Sequence, residues 1–405
     1  MAKDTPRPTP DQLDPQLTAL LEGKLAAGTL NELLAILLSR LALAERSAYL
    51  DATPEDKANG YYSRSLEAGS LPLSLKVPRT RSGAFRPAVL PPPYQRAFPE
   101  HKRELLLGLV ANSRSLEAAK DTLRHLGLSV PDSELDRIVA ELTQELDLLN
   151  TRPVPVDLLA LYYDAKYVEI REKDRLRTFT IYTAVGVLTN GLKRVLACCL
   201  LPGRESLEGW KQVLKGLLER GLRRVLIAIH DDFPGLLALS KSLFPNADIQ
   251  LCIVHMERNV GRHLPKQDAR SFLRRLKAIK ASYDPETAAA QFEDLCHHFQ
   301  AQAPTFIRSI RSKREHYLAF LHYPDPVRKT FSTTNAVEAI NGQLEISRLN
   351  SGGYFQSQPL AKAKLAIAIT RLESKRWRRP AANLASALTD LNLMFQARFE
   401  TDATP

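Results

Sequence analysis

The chain has 405 residues, 44% of them apolar and 25% charged, and its 56 Lys and Arg outnumber 45 Asp and Glu to give a net charge of +11 and a pI near 9.4. That length predicts about two to four domains, and the basic excess favours a polyanionic partner, nucleic acid first. No apolar run reaches the ~18 residues of a membrane span, the start Met-Ala-Lys-Asp lacks a secretory segment, no lipid-anchor motif occurs, and four cysteines make no disulfide framework, so a cytoplasmic, nucleoid-associated protein is expected.

Residues 1–14 are Pro-rich and polar and are expected to be a disordered tail. Between 17 and 50, apolar residues recur at helical spacing (Leu33, Leu34, Leu37, Leu38, Leu41) behind a cap at Asn31. This stripe is either a dimerisation face or the core side of a small domain. Residues 61–86 alternate, with Leu71, Leu73, Leu75 and Val77 at period two, and predict a short hairpin. A basic loop from Pro78 to Arg86 follows, carrying Arg79 and Arg81 as candidate DNA contacts, and Pro91-Pro92-Pro93 closes a helical and hairpin region over 15–99.

Helices are expected over 100–111, 115–126 and 132–148, and the break at 127–131 resembles a helix-turn-helix corner, which makes 100–152 a candidate DNA-binding domain. The third helix then either enters a major groove or uses Asp132, Glu134 and Asp136 only to stabilise its own N-terminus. From 153 to 255, strands (158–163, 178–188, 194–201, 224–230, 248–254) alternate with helices (206–220, 235–243). Asn190-Gly191 joins two early strands in an antiparallel meander, while the later strand–helix–strand alternation implies parallel crossovers, so a mixed α/β sheet is expected. Residues 256–325 read as an all-helical insertion, 326–396 as helical with a Gly352-Gly353 interruption, and 397–405 as a tail.

Three acids stand out: Asp164 after one apolar run, Asp231 after a second, and Glu338 in Thr333-Thr334-Asn335-Ala336-Val337-Glu338. Singly, each is a turn residue or helix cap; converged, they are oxygen ligands for two divalent cations, Mg²⁺ or Mn²⁺, that drive in-line displacement at phosphorus. A metal-dependent DNA-cutting and DNA-joining enzyme is therefore expected. On periodicity alone, either Asp231 or its neighbour Asp232 fits. Cys252-Ile253-Val254-His255 and Cys296-His297-His298 are read as a zinc site or, preferably, as a buried cysteine beside a hydrogen-bonded histidine. Trp210 is a core residue or stacks on an unpaired base. Basic runs at 274–277, 308–314 and 375–379, the last with Arg376 and Arg378, are solvated faces or a phosphate-tracking groove.

These residues resemble the bacterial mutator-type insertion-sequence transposases. The resemblance is carried from about 61 to 379 by Val77-Pro78-Arg79-Thr80-Arg81 with Gly83 and Phe85, by Tyr163-Asp164-Ala165, and by Glu205-Ser206 with Trp210. Glu219-Arg220-Gly221-Leu222 leads on to Asp231 and Gly235, Phe244-Pro245 precedes Gln250-Leu251-Cys252-Ile253-Val254-His255 with Arg258-Asn259, and the Thr333–Glu338 segment with Asn341 completes the set. The resemblance implies a ribonuclease-H-like core with an all-helical insertion, and a DDE triad of Asp164, Asp231 and Glu338 that is both catalytic and metal-binding. It selects Asp231 over Asp232, because the acid sits four residues before Gly235. It implies a two-metal mechanism, double-stranded DNA partners (the element's terminal inverted repeats and a target), a homodimer, and DNA contacts by Arg79, Arg81, Trp210, His255, Arg258, Asn335, Arg376 and Arg378. Asp232 stands where the family usually has Gly, and Glu345 where it tends to have Arg. A catalytically decayed or domesticated DNA-binding relative is the alternative that these departures raise.

Overall fold

The computed structural model describes residues 30–68, 71–91, 99–125 and 130–399. The chain divides into two compact units, one formed by 1–109 with 116–136, the other by 110–115 with 137–405.

In the first unit, α1 (Leu30–Ala52) packs on an antiparallel hairpin of β1 (Ala58–Ala68) and β2 (Leu71–Thr80). Its small core joins Ala42 to Leu66, Leu73, Leu75, Val77 and Leu90, with Leu34 and Leu38 against it. Leu73, Leu75 and Val77 of β2 face this helix, as alternation on a one-sided sheet requires. Leu37 and Leu41 remain exposed on α1, so the leucine stripe is split between core and surface, and Asn31 lies inside the helix. Helices α2 (Pro99–Asn112), α3 (Leu116–His125) and α4 (Asp132–Leu149) follow, and α2 and α4 each run on into the second unit. Residues 126–129 of the expected corner lie outside the described residues, as do the tails 1–14 and 400–405. Asp132 and Asp136, in the first turns of α4, are answered by α3: Asp132 pairs with Arg124 at 2.5 Å and Asp136 with Lys120 at 3.3 Å.

The second unit is built on a five-stranded mixed sheet, ordered β5-β4-β3-β6-β7. Strands β3 (Asp157–Glu172), β4 (Arg175–Val187) and β5 (Lys193–Pro202) form the antiparallel meander. Strands β6 (Arg224–His230) and β7 (Asp248–Leu251) add in parallel beside β3. The crossover helices α5 (Leu207–Glu219) and α6 (Leu236–Leu243) bury Trp210, Val213, Leu214, Leu217 and Leu236 against Leu158, Leu161, Tyr163, Val225 and Ala228. The outer edge of β5 is covered: the Asn150 side chain bonds both the N–H and the carbonyl of Cys198, and Glu373 accepts from the N–H of Val195. At the opposite end of the parallel pair, Arg224 grips Asp157 through two bonds of 2.7 and 2.8 Å.

Beyond β7 the chain is helical: α7 (Ile253–His263), α8 (Lys266–Lys280), α9 (Pro285–Phe299), α10 (Pro304–Ser312) and α11 (Arg314–Leu318). Then come α12 (Asp325–Phe331), α13 (Asn335–Asn350), α14 (Gln358–Arg371), α15 (Ala382–Ser386) and α16 (Leu388–Phe399). Among the described residues no helix is long and apolar enough to cross a membrane. The α/β expectation holds, with one difference of consequence. Strand β3 does not stop at Asp164 but continues to Glu172, because β4 remains paired with it along that length. The last expected strand is shorter than 248–254, since Cys252 already caps α7.

Two glycines of α5 separate helix propensity from packing. A Cβ on Gly209 would lie 2.4 to 2.6 Å from the hydroxyl and ring of buried Tyr182, whereas one on Gly216 meets nothing within 4 Å. Gly216→Ala should therefore stabilise the protein by roughly 0.5–1 kcal/mol. Gly209→Ala should destabilise it by about 1–3 kcal/mol through overpacking, which outweighs the propensity gain. Thermal melts of the two variants moving in the same direction would contradict this packing.

Candidate active site

Register places the first two acids. Tyr162 of β3 pairs with Ile229 of β6 in parallel, and two residues further along each chain come Asp164 and Asp231. Both acids lie where β6 has ended while β3 runs on beside β4, with Asp164 opposite Thr183. Asp164 is thus mid-strand, but at the point where its parallel neighbour stops.

Beneath the acids lies an aromatic layer. Tyr163, which precedes Asp164, stacks on His230, which precedes Asp231, with ring centroids 4.8 Å apart. Trp210 meets Tyr163 edge-on at 5.4 Å and Tyr182 at 4.9 Å. The Trp210 Nε1–H then donates to Glu205 at 2.7 Å, fixing a further carboxylate just ahead of the helix cap Ser206. Trp210 is fully buried in this layer and cannot stack on a base, which corrects its placement among the DNA contacts. The apolar contact area of an indole favours burial once its single N–H is satisfied, and Glu205 satisfies it. Glu205 was missed as a site residue. The signal for it was an acid immediately before a Ser cap, with Trp on the first turns of the same helix.

The third acid comes from α13, which runs against β3. Asn341 Nδ2 donates to Asp164 Oδ2 at 3.0 Å, and Lys166 Nζ reaches the Asn341 carbonyl at 3.2 Å and Glu345 at 2.9 Å. Glu338, Asn341 and Glu345 stand three and four residues apart, on one helical face, and Asp164 and Lys166 share one face of the strand. Glu338 itself is held by Arg258 of α7, Nη2 to Oε1 at 3.0 Å. Arg258 also lies 3.5 Å from His255 Nε2. Cys252, Thr334 and Ser332 fasten the start of α7 to the start of α13: Thr334 Oγ1 donates to Cys252 Sγ and the N–H of Ile253 to the Ser332 carbonyl.

The electrostatics are those of like charges forced together. Burial lifts the Asp164 carboxyl to about 6; the His255 ring opposes this, while Asp231 and Glu338 add to it. Asp231 is likewise raised to about 6, first by burial and then by Glu205. Glu205 is raised by burial, against the pull of its Trp210 bond. Asp231 Oδ1 and His255 Nδ1 are both buried without a hydrogen-bond partner. Buried polar atoms are normally paired, and an orphaned carboxylate oxygen beside a second carboxylate is a position that a cation could fill. The oxygen donors of Asp164 and Asp231 suit a hard divalent ion. Among the described residues, however, no group of three or more His, Cys, Asp and Glu side chains is placed to hold a metal as it stands. Glu338 is occupied by Arg258 rather than turned to the aspartates.

The expected contacts therefore sort by place. Asp164, Asp231, His255, Arg258 and Glu338 are brought together, with Asn335 exposed one turn ahead of Glu338. Arg376 and Arg378 are exposed after α14 in the same unit, and Arg79 and Arg81 are exposed on and beside the hairpin of the other unit. His255 is hydrogen-bonded as expected, through Nε2 to Arg258 at 3.5 Å, while its Nδ1 is buried without a partner. Cys252 is buried as expected, and Cys296 is buried in α9. Asp232 and Glu345 are both paired: Asp232 by Lys313, and Glu345 by Lys166 and Arg348, which hold its carboxyl down to about 2, Arg348 contributing most.

A carboxyl whose folded value lies above its unfolded value of about 4 stabilises the fold only at low pH, and that contribution disappears as pH rises through the folded value. Without divalent ions, stability should thus decline from pH 5 to 7.5 as Asp164 and Asp231 ionise against each other. Asp231→Asn should flatten this decline and gain about 1–2 kcal/mol at pH 7.5. Melts in chelator at both pH values provide the measurement, and a variant that gains nothing at pH 7.5 would exclude this repulsion.

Residues 12–379 match the family model described as "Transposase, Mutator family". Among similar curated proteins, the transposase for insertion sequence element ISRM3 of Rhizobium meliloti is 28% identical over 382 residues, covering 92% of this chain and 94% of that protein. The transposase for IS406 of Burkholderia multivorans is 28% identical over 344 residues, 82% of this chain and 87% of its own. The transposase for IS256 in transposon Tn4001 of Staphylococcus aureus is 26% identical over 347 residues, 81% and 86% respectively. With its matched region spanning nearly its whole length, the chain belongs to the Mutator family of transposases.

Proposed function

We propose that this protein is a DDE transposase that cleaves the ends of an insertion sequence and joins them to target DNA, on a ribonuclease-H-like core. The observation that carries the reading is the juxtaposition of Asp164 and Asp231 by the β3/β6 register, with a buried oxygen of Asp231 left unpartnered. Asp164, Asp231 and Glu338 are the residues that would hold Mg²⁺ or Mn²⁺, which when bound supplies an activated nucleophile and a stabilised leaving oxygen. Glu338 reaches this role by exchanging its Arg258 partner. A partly exposed ion pair of this kind contributes little stability, about 0–1 kcal/mol, so the exchange costs little.

In the first step a water oxygen bonds to phosphorus at the element's end, the bridging P–O3′ bond breaks, and the freed 3′-oxygen takes a proton. In the second, that 3′-hydroxyl attacks a target phosphodiester, displacing another 3′-oxygen and releasing its own proton. No protein nucleophile takes part. Arg258, once released from Glu338, is an exposed guanidinium beside the carboxylates and suited to a phosphate oxygen. Asn341 holds Asp164, and Lys166 holds the Asn341 carbonyl, so α13 keeps its distance from β3 through polar contacts. Arg79, Arg81, Arg376, Arg378, Asn335 and His255 are proposed DNA contacts, with a dimer binding paired inverted repeats.

The test is strand transfer with a labelled element end, target DNA and Mg²⁺. Asp164→Ala should lower product about a thousandfold or more. DNA binding should persist and weaken steeply with salt. Transfer at wild-type rate by Asp164→Ala would refute the site, and a wild-type protein that binds ends but never cuts would instead identify a decayed relative.

A further inference from the structure

Asp232 is the residue after Asp231, in the turn that leads into α6, and its side chain is 24% exposed. Lys313, between α10 and α11, places Nζ 2.7 and 2.6 Å from the two Asp232 oxygens. The Tyr317 hydroxyl of α11 donates to Asp232 Oδ2 at 3.2 Å. Both carboxylate oxygens are therefore engaged by groups from the helical segment, and Lys313 is itself only 28% exposed. Asp232 also adds to the charge that raises Asp231. A second free carboxylate on this turn would compete with Asp231 as an oxygen ligand, since a hard cation accepts several such donors and geometry alone selects among them. Half-buried carboxylates left unpaired are costly, so Asp232 has a strong requirement for Lys313.

We propose that Lys313 is a charge-compensating positioning residue of the carboxylate site, holding Asp232 out of the cation's ligand shell so that this turn presents Asp231 alone. The inference rests on the metal-site reading above. It makes Lys313, far from the acids in sequence, a determinant of how tightly and how productively the site takes a divalent ion.

The experiment uses the full chain and Mn²⁺ as the probe, with calorimetric binding and strand transfer measured on the same preparations. In Lys313→Met, Mn²⁺ should bind about threefold tighter or more, because Asp232 is freed, while transfer falls about tenfold or more, in the range of outer-shell substitutions. Asp232→Asn alone and Asp232→Asn with Lys313→Met should both stay within about threefold of wild type in both readouts, and Lys313→Arg should resemble wild type. A purely structural tie between α10–α11 and the turn predicts otherwise: equal losses of melting temperature in Lys313→Met and Asp232→Asn, unchanged Mn²⁺ affinity and no rescue in the double variant, and that pattern would overturn the proposal. Should Lys313→Met fail to fold, a folded double variant with wild-type binding and transfer supports the compensation, and an inactive one refutes it. Equal Mn²⁺ binding by wild type and Asp231→Ala would remove the metal-site reading itself, and this inference with it.

Discussion

Two carboxylates are brought side by side in a place with little water, and much of the second unit serves to keep them there. The β3/β6 register sets Asp164 against Asp231, burial raises both, and each opposes ionisation of the other or of a neighbouring acid. Such an arrangement is unfavourable for the isolated protein and persists only because the surrounding packing over-determines it. The aromatic layer of Trp210, Tyr163 and His230 supplies that rigidity, since Tyr163 and His230 immediately precede the two acids and Trp210, packed on Tyr163, hydrogen-bonds the neighbouring Glu205. A site built on stacked rings and paired strands has little freedom to relax the repulsion by moving apart.

Cations drawn from the chain itself offset the remaining acids. Arg258 meets Glu338, Lys313 meets Asp232, and Lys166 with Arg348 meets Glu345. Arg258, Lys313 and Lys166 come from elements distant in sequence, while Arg348 lies one turn along α13 from Glu345, so charge balance around the site also fastens α7, the α10–α11 junction and α13 to the sheet. The same pairs lower the net negative charge that a DNA phosphate would meet, whereas Asp164, Asp231 and Glu205 have no salt-bridge cation among the described residues, Asp164 and Glu205 being held by Asn341 and Trp210 instead. The chain's net charge of +11 can act at long range on a polyanion.

Asp232 and Glu345 are the two acids that the resemblance to the family did not lead one to expect. Each adds a negative charge near the proposed catalytic residues, which taken alone suggests impaired function. In the folded chain each is met by cations at hydrogen-bonding distance. Lys313 and Lys166, which meet them, are partners that linear sequence does not bring into view, whereas Arg348 is one helical turn from Glu345.

The sequence by itself determined the α/β class, the hairpin and nearly every strand and helix of the sheet region, and it put forward the three acids as candidates, because apolar periodicity and cap residues are local signals set by backbone geometry. It also carried the family, through an ordered series of short motifs. Tertiary structure alone decided that β3 runs past Asp164, that Trp210 is buried under the acids instead of facing DNA, that Glu205 joins them, and that Glu338 rests on Arg258. Strand length depends on whether a neighbouring strand continues to offer hydrogen bonds, and a side chain's role depends on which groups from distant segments meet it. Neither quantity is written in the spacing of residues along a chain.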